Sequence, residues 1–455
     1  MIGIVESRAD EASVAICDQL RTLADWETSE DTDRDPADGG GTVYATAGFE
    51  LRSFEALHLY LERPAEAFST EPSLLVFASR HSGETGPLLT GHFTGNVGPG
   101  AYGGDDRSLA RAAPNALVAL LEAFDEYAPA GYDVGMECTH HGPTDVGCPS
   151  LFAELGSEAH QWRDPAGAAA VARAILDLEG TPADRSRQVV GFGGGHYVPR
   201  FERIVRETPW AVGHVAPDWA LSALGEPSAE IDLLAALFER SNATIGVVEG
   251  EYPGLIDAIE SRGYRVVSEA WLRAVDDWPL ELVGSIEGDL GPVADGVELG
   301  QIRRADYTVV SLPEELVATA EGIDPDATWA VVDRNAVAFE TDNGGSRLGG
   351  RVAVPIDTAD DSGNADVGEE STDSLPPSIV AGLADVLRER YDDVEISATH
   401  VVATESAFDP ARARERGVPE GPAFGRLADG EAVTVDGQRI EPADVHVERT
   451  DEFSL

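Results

Sequence analysis

Seven of the ten histidines, His81, His92, His140, His141, His160, His196 and His214, fall within less than a third of the chain. Neutral imidazole is the common zinc ligand, and catalytic zinc takes about three protein ligands plus a water whose pKa falls near 7. A histidine can also act alone as general base toward water. Neither His-Glu-x-x-His nor Gly-x-Ser-x-Gly occurs, which argues against an ordinary zincin and a serine hydrolase. Gly191-Phe-Gly-Gly-Gly-His196 lacks the Walker lysine and the glycine spacing of a dinucleotide loop. The backbone N–H groups of Gly194 and Gly195 could still hold an oxyanion or a phosphate, and the same glycines could equally form a tight strand-to-helix turn. Arg80, Arg200 and Arg203 could bind phosphate bidentately or be ordinary surface arginines. Cys138 and Cys148 flank the double histidine without a Cys-x-x-Cys, so Cys138 reads as a small buried side chain.

The elements that must position these residues alternate between extended and helical patterns. A strand is expected over residues 1–5, followed by a helix to about residue 26 with Ser7 at its start. Residues 27–41 are acidic and Gly-rich and read as a surface loop. Leu-Leu-Val-Phe within 73–78 is a buried strand. Helices are expected over 108–127, 164–178, 199–207, 228–241 (capped by Ser228) and 255–262, with strands over 132–138, 188–192, 244–249 and 264–267. This alternation predicts an α/β fold, layered α/β/α with a largely parallel or mixed sheet. His81, the His140–His141 pair and His196 each follow one of the strands, in Gly-containing loops. If those strands run parallel, the loops meet at one sheet edge, where open α/β sheets bind ligands.

Beyond about residue 276 the texture changes. An appended α/β region is expected over 276–355, an acidic linker over 356–377 and a small C-terminal region over 378–455, with a helix over 378–390 and a strand over 394–398. Arg412-Ala-Arg-Glu-Arg-Gly417 is a weak hint of RNA contact beside its plainer reading as a solvated helix end.

Composition bounds the class. The 455 residues carry 83 acids against 32 bases, a net charge of −51, and every base is arginine. Repulsion on that scale destabilises a compact chain in dilute buffer and is screened in about 1 M salt, where the Debye length is about 3 Å. The charge therefore reads as adaptation to a salt-rich cytosol. Three cysteines are too few for a disulfide framework and suit a reducing compartment. No stretch approaches a membrane span, so a soluble, cytoplasmic, monomeric protein without a stable protein partner is expected.

Six ordered motifs resemble the archaeal and plant D-aminoacyl-tRNA deacylase family across residues 1–270. They are Ser79-Arg-His-Ser-Gly83, Gly91-His-Phe-Thr-Gly-Asn96, Glu137-Cys-Thr-His-His-Gly-Pro143, Pro149-Ser-Leu-Phe-Ala-Glu-Leu-Gly-Ser157, Gly193-Gly-Gly-His-Tyr-Val-Pro-Arg-Phe201 and Gly213-His-Val-Ala-Pro-Asp-Trp-Ala-Leu221. The resemblance implies hydrolysis of the ester joining a D-amino acid, D-tyrosine for example, to the 3′ end of tRNA, with zinc, two ions per subunit, as cofactor. On loop placement, His81, His140, His141 and His196 would surround the metal. His81, Glu137, His140 and His196 would carry catalysis, Gly194, Gly195, Arg80 and Arg200 would hold oxyanion or phosphate, and His92, Asn96 and His214 would stand behind them. A tRNA surface is ordinarily basic, so a local arginine patch around the crevice is expected despite the global charge. Two other classes compete: a metal-dependent amidohydrolase or peptidase on small substrates, and a non-catalytic RNA-binding protein with structural histidines.

Overall fold

The opening apolar run becomes the strand Ile2–Ser7, buried along its whole length in an eight-stranded mixed sheet. The computed structural model describes residues 1–356 and 374–455, divided into two units, Met1–Asp276 and Asp277–Leu455. In the first unit, Ile2–Ser7 pairs in parallel with Phe49–Phe54 and Leu74–Arg80, and Leu74–Arg80 pairs in parallel with Ser150–Gly156. Six of the seven residues of Leu74–Arg80 are buried, as continuous apolar runs in covered sheets require. Ser150–Gly156 then pairs antiparallel with Leu88–His92, which carries the parallel edge strand Asp133–Met136. Helices Glu11–Leu23, Pro114–Tyr127 and Pro165–Leu176 pack on one another and on this sheet.

A second, wholly parallel sheet has the order Ala211–Ala216, Gln188–Gly193, Ile245–Glu249, Arg265–Val267. Phe192, Leu234, Leu237 and Phe238 are central to its core. The mixed α/β architecture expected from the alternation is present, with two main sheets and a small two-stranded one, Gly95–Asn96 with Ser108–Leu109, instead of a single sheet.

Several local expectations are corrected. Asp10 caps the first helix, its Oδ1 accepting from the N–H of Ala12 (3.0 Å) and Ser13 (3.2 Å), while Ser7 belongs to the strand. The acidic stretch taken for a loop holds the edge strand Glu27–Asp31, paired antiparallel with Gly41–Ala45. Its residues are almost all exposed, so no apolar period marks it. Ser228 lies in a separate 3₁₀ turn, Pro227–Ala229, and the helix Ile231–Arg240 starts without a side-chain cap.

The unit Asp277–Leu455 has its own core, built on the antiparallel sheet Val297–Leu299, Ala338–Asp342, Arg347–Pro355 and Tyr307–Ser311 and on helices Glu314–Ile323, Pro325–Asn335 and Pro377–Leu387. The tail ends in the nine-residue strand His446–Ser454, paired antiparallel with His400–Phe408. The expected linker falls, over residues 357–373, outside the described residues. Among the described residues no helix is long and apolar enough to cross a membrane.

Candidate active site

The strands bearing the histidine loops do not share one parallel edge. Asp133–Met136 runs antiparallel to Leu74–Arg80, and Gln188–Gly193 lies in the other sheet. The loops converge for a different reason. Asp133–Met136 stops level with Gly91, and the chain continues as a bridge between the sheets. Along that bridge the N–H of Glu137 donates to Gly91 O, that of Cys138 to His196 O (2.8 Å) and that of Thr139 to Val215 O (3.0 Å). Glu137, His140 and His141 are thereby set between His81 and His92 on one side and His196 on the other.

His81, Glu137, His140, His141 and His196 line one cavity of about 590 Å³ with Phe152 and Glu154 in its wall, and His92 is buried behind them. His196 Nε2 lies 2.7 Å from Glu137 Oε2, and His140 Nε2 lies 3.6 Å from the same oxygen. His81 Nδ1 is 3.2 Å from Glu137 Oε1 and 3.5 Å from Glu154 Oε2, and His92 Nε2 is 3.4 Å from Glu154 Oε1. Tyr197 Oη is 3.2 Å from His81 Nε2. His81, His92, Glu137 and Glu154 are each at most 4% exposed. Burying two carboxylates is costly unless cations or hydrogen-bond donors face them, so this is an expensive arrangement to keep.

Tautomers follow from the backbone. The Nδ1 atoms of His92, His140 and His141 lie 3.1, 2.9 and 2.7 Å from the carbonyl oxygens of Phe93, Cys138 and Gly142. A carbonyl only accepts, so each Nδ1 carries the proton and each Nε2 is left for a ligand. Burial pushes the His140 pKa well down and that of His141 to about 4, keeping both neutral. Burial also opposes charge on His81, yet contact with Glu137 and Glu154 prevails and raises its pKa to about 10. The two carboxylates shift the other way. Against burial, the facing His81 lowers Glu154 to about 2, and His196 and His81 hold Glu137 well below the carboxylate range.

Three groups here could hold a metal ion, with ligand atoms all within 4.8 Å of one another: His92, His140 and His141; His81, Glu137 and Glu154; and Cys138, His140 and His196. The first two fit a divalent cation. His92 Nε2 and Glu137 Oε1 are buried without a hydrogen-bond partner, and a cation would satisfy both. The third fits less well, because burial pushes the Cys138 thiol up to about 12. His141 adopts a left-handed backbone (φ 43°), a costly conformation for a non-glycine residue. The Gly95 N–H bond to His141 O (2.8 Å) fixes it.

Other expected site residues lie further out. Gly194 and Gly195 are absent from the cavity lining, and Gly194 O instead accepts from the N–H of Asp218. Arg200 and Arg203 are tied to Glu269, at 3.3 and 2.6 Å, and neither lines the cavity; Arg80 does, its guanidinium over the Trp162 ring. His214 is fully buried, with Nδ1 3.0 Å from Thr139 Oγ1 and Nε2 2.8 Å from Ala110 O. Asn96 lines the cavity and holds the loop beyond it, its Nδ2 donating to Gly103 O and Asp105 O. Sequence reading missed Glu154, which sits mid-strand in Ser150–Gly156. A buried glutamate within an apolar strand was the available signal.

Buried imidazoles and carboxylates around one cavity, held between two sheets, make a site of the hydrolytic type whose residues could hold a metal ion. The D-aminoacyl-tRNA deacylase family model matches residues 68–266. D-aminoacyl-tRNA deacylases of Halorubrum lacusprofundi and Natronomonas pharaonis are 51% and 50% identical to this chain over its whole length, covering 97% and 100% of their own. The Haloarcula marismortui D-aminoacyl-tRNA deacylase is 46% identical over the whole of both chains. A solved structure described as a conserved protein of unknown function matches 59% of this chain and 95% of its own, at 28% identity and a TM-score of 0.53. The chain belongs to the D-aminoacyl-tRNA deacylase family.

Proposed function

We propose that the Met1–Asp276 unit hydrolyses the ester between a D-amino acid and the tRNA 3′ end, using zinc held by the histidine–glutamate cluster. The observation that carries this is the set of three imidazoles with Nδ1 committed to backbone carbonyls and Nε2 left for a ligand, beside two buried glutamates. His92, His140 and His141 would hold one ion and His81, Glu137 and Glu154 a second, a nitrogen and oxygen set suited to zinc. Zinc there would supply a water of lowered pKa.

The chain's own residues do the rest. Glu137 Oε2 takes a proton as the water oxygen bonds to the acyl carbon. His196, half open to the cavity and hydrogen-bonded to Glu137, returns a proton to the ribose oxygen as the acyl–oxygen bond breaks. The products are a free D-amino acid and a tRNA with its terminal hydroxyl restored. Arg80, which lines the cavity, would meet a phosphate or the developing oxyanion. The same reading makes the protein a cytoplasmic monomer that meets its substrate in high salt.

The test is deacylation of D-tyrosyl-tRNA against L-tyrosyl-tRNA in about 2 M KCl, a concentration chosen to screen the surface charge. D-selective release is expected, with His140→Ala and His196→Ala each at least about a hundredfold slower while folded. Equal release of both esters, or peptide cleavage without tRNA turnover, would contradict it.

A further inference from the structure

Six large apolar side chains are exposed among the described residues, and two of them, Tyr102 at 71% and Trp219 at 53%, line the same cavity as the histidine–glutamate cluster. Exposed apolar groups gathered at one cavity mark ligand-binding or interaction sites. Both are held firmly. The N–H of Gly142, next to His141, donates to Tyr102 O (3.1 Å). Trp219 follows Asp218, whose N–H donates to Gly194 O (2.9 Å) and whose Oδ1 accepts from Tyr252 Oη (2.5 Å). The two segments adjoin, since a Cβ built at Gly98 would lie 3.8 Å from Ala223 Cβ. Each aromatic is therefore anchored to a loop leading directly to a site histidine.

The substrate's chemistry selects the occupant. A single ribose separates the ester from the terminal nucleobase, so a base must lie close to the reacting carbon. The cavity lining offers one arginine against that need, and phosphate contacts weaken steeply as salt rises. Stacking of a base on an aromatic ring does not depend on charge. We infer that Tyr102 and Trp219 form a stacking rim that receives the terminal nucleobase of the substrate while its ester reaches the histidine–glutamate cluster. The inference rests on the deacylase reading and adds how that substrate is gripped.

Two measurements on the full chain in molar KCl test it. In steady-state deacylation of D-tyrosyl-tRNA, Tyr102→Ala and Trp219→Ala should each raise KM about ten- to a hundredfold with kcat within about threefold, while Trp219→Phe restores KM to within about threefold of wild type. Unchanged KM in both alanine variants overturns the rim. The second measurement does not depend on turnover. Adenosine monophosphate should quench tryptophan emission saturably where ribose 5-phosphate does not, and Trp219→Ala should abolish the effect. Equal quenching by the two probes, or quenching that survives Trp219→Ala, also overturns it. Absence of wild-type turnover would strike the deacylase reading alone and leave the quenching result to decide the rim.

Discussion

Glu154 ties two site histidines together, its two oxygens facing His81 and His92 from one buried strand position. Glu154→Gln keeps the shape and removes the charge that both imidazoles answer. Turnover should fall at least about a hundredfold and metal content with it, read by kinetics and elemental analysis. Near-normal values of both would remove Glu154 from the site. His214 belongs to a different physical problem, since burial depresses its pKa to about 4 from 6.5. Between those values the unfolded chain binds a proton that the folded chain does not, so stability present above pH 6.5 is lost as pH falls toward 4. That loss is about 3 kcal/mol at most. Denaturant unfolding across this range should give a flatter pH profile for His214→Gln than for wild type; parallel profiles would refute the attribution. At this scale the sequence announced its histidines through clustering. It gave no sign of which nitrogen each would offer, because that depends on carbonyls brought near by the fold.

Convergence of the loops is a property of elements. Strand ends that looked equivalent in sequence belong to two sheets, and Glu137–Thr139 crosses between them by three backbone hydrogen bonds. Direction of pairing is invisible in an apolar run, which is why a common parallel edge was expected where Asp133–Met136 in fact runs the other way. Helix Pro199–Glu207, by contrast, was fully legible from its first-turn proline and periodicity. Gly156 shows how tightly the elements close on the site, since a Cβ there would lie 2.5 Å from His81 Cβ and 2.7 Å from its carbonyl oxygen. Gly156→Ala should therefore shift His81, slowing deacylation about tenfold or more and costing about 1–3 kcal/mol in unfolding free energy. Wild-type kinetics in that variant would mean the strand yields without moving the histidine.

At the scale of the whole molecule, a net charge of −51 sets the conditions under which every other interaction acts. That figure already counts every arginine, including those paired as in Arg203–Glu269 and Arg52–Glu50, so the excess carboxylates are left to salt. Raising KCl from about 0.1 M to about 2 M should lift the thermal midpoint by more than about 10 °C, and a midpoint indifferent to salt would deny that screening holds the fold together. Charge, family motifs and the helix near residues 378–390 were readable from the sequence, while most strands of the Asp277–Leu455 core were not, because even the nine-residue strands His400–Phe408 and His446–Ser454 are largely exposed or half-buried and carry few apolar runs. The most direct measurement removes metal from the folded protein in high salt and follows D-tyrosyl-tRNA deacylation as zinc is titrated back. Turnover should vanish on chelation and return in proportion to bound zinc, up to two ions per chain; undiminished turnover by metal-free protein would contradict a metal-centred reaction.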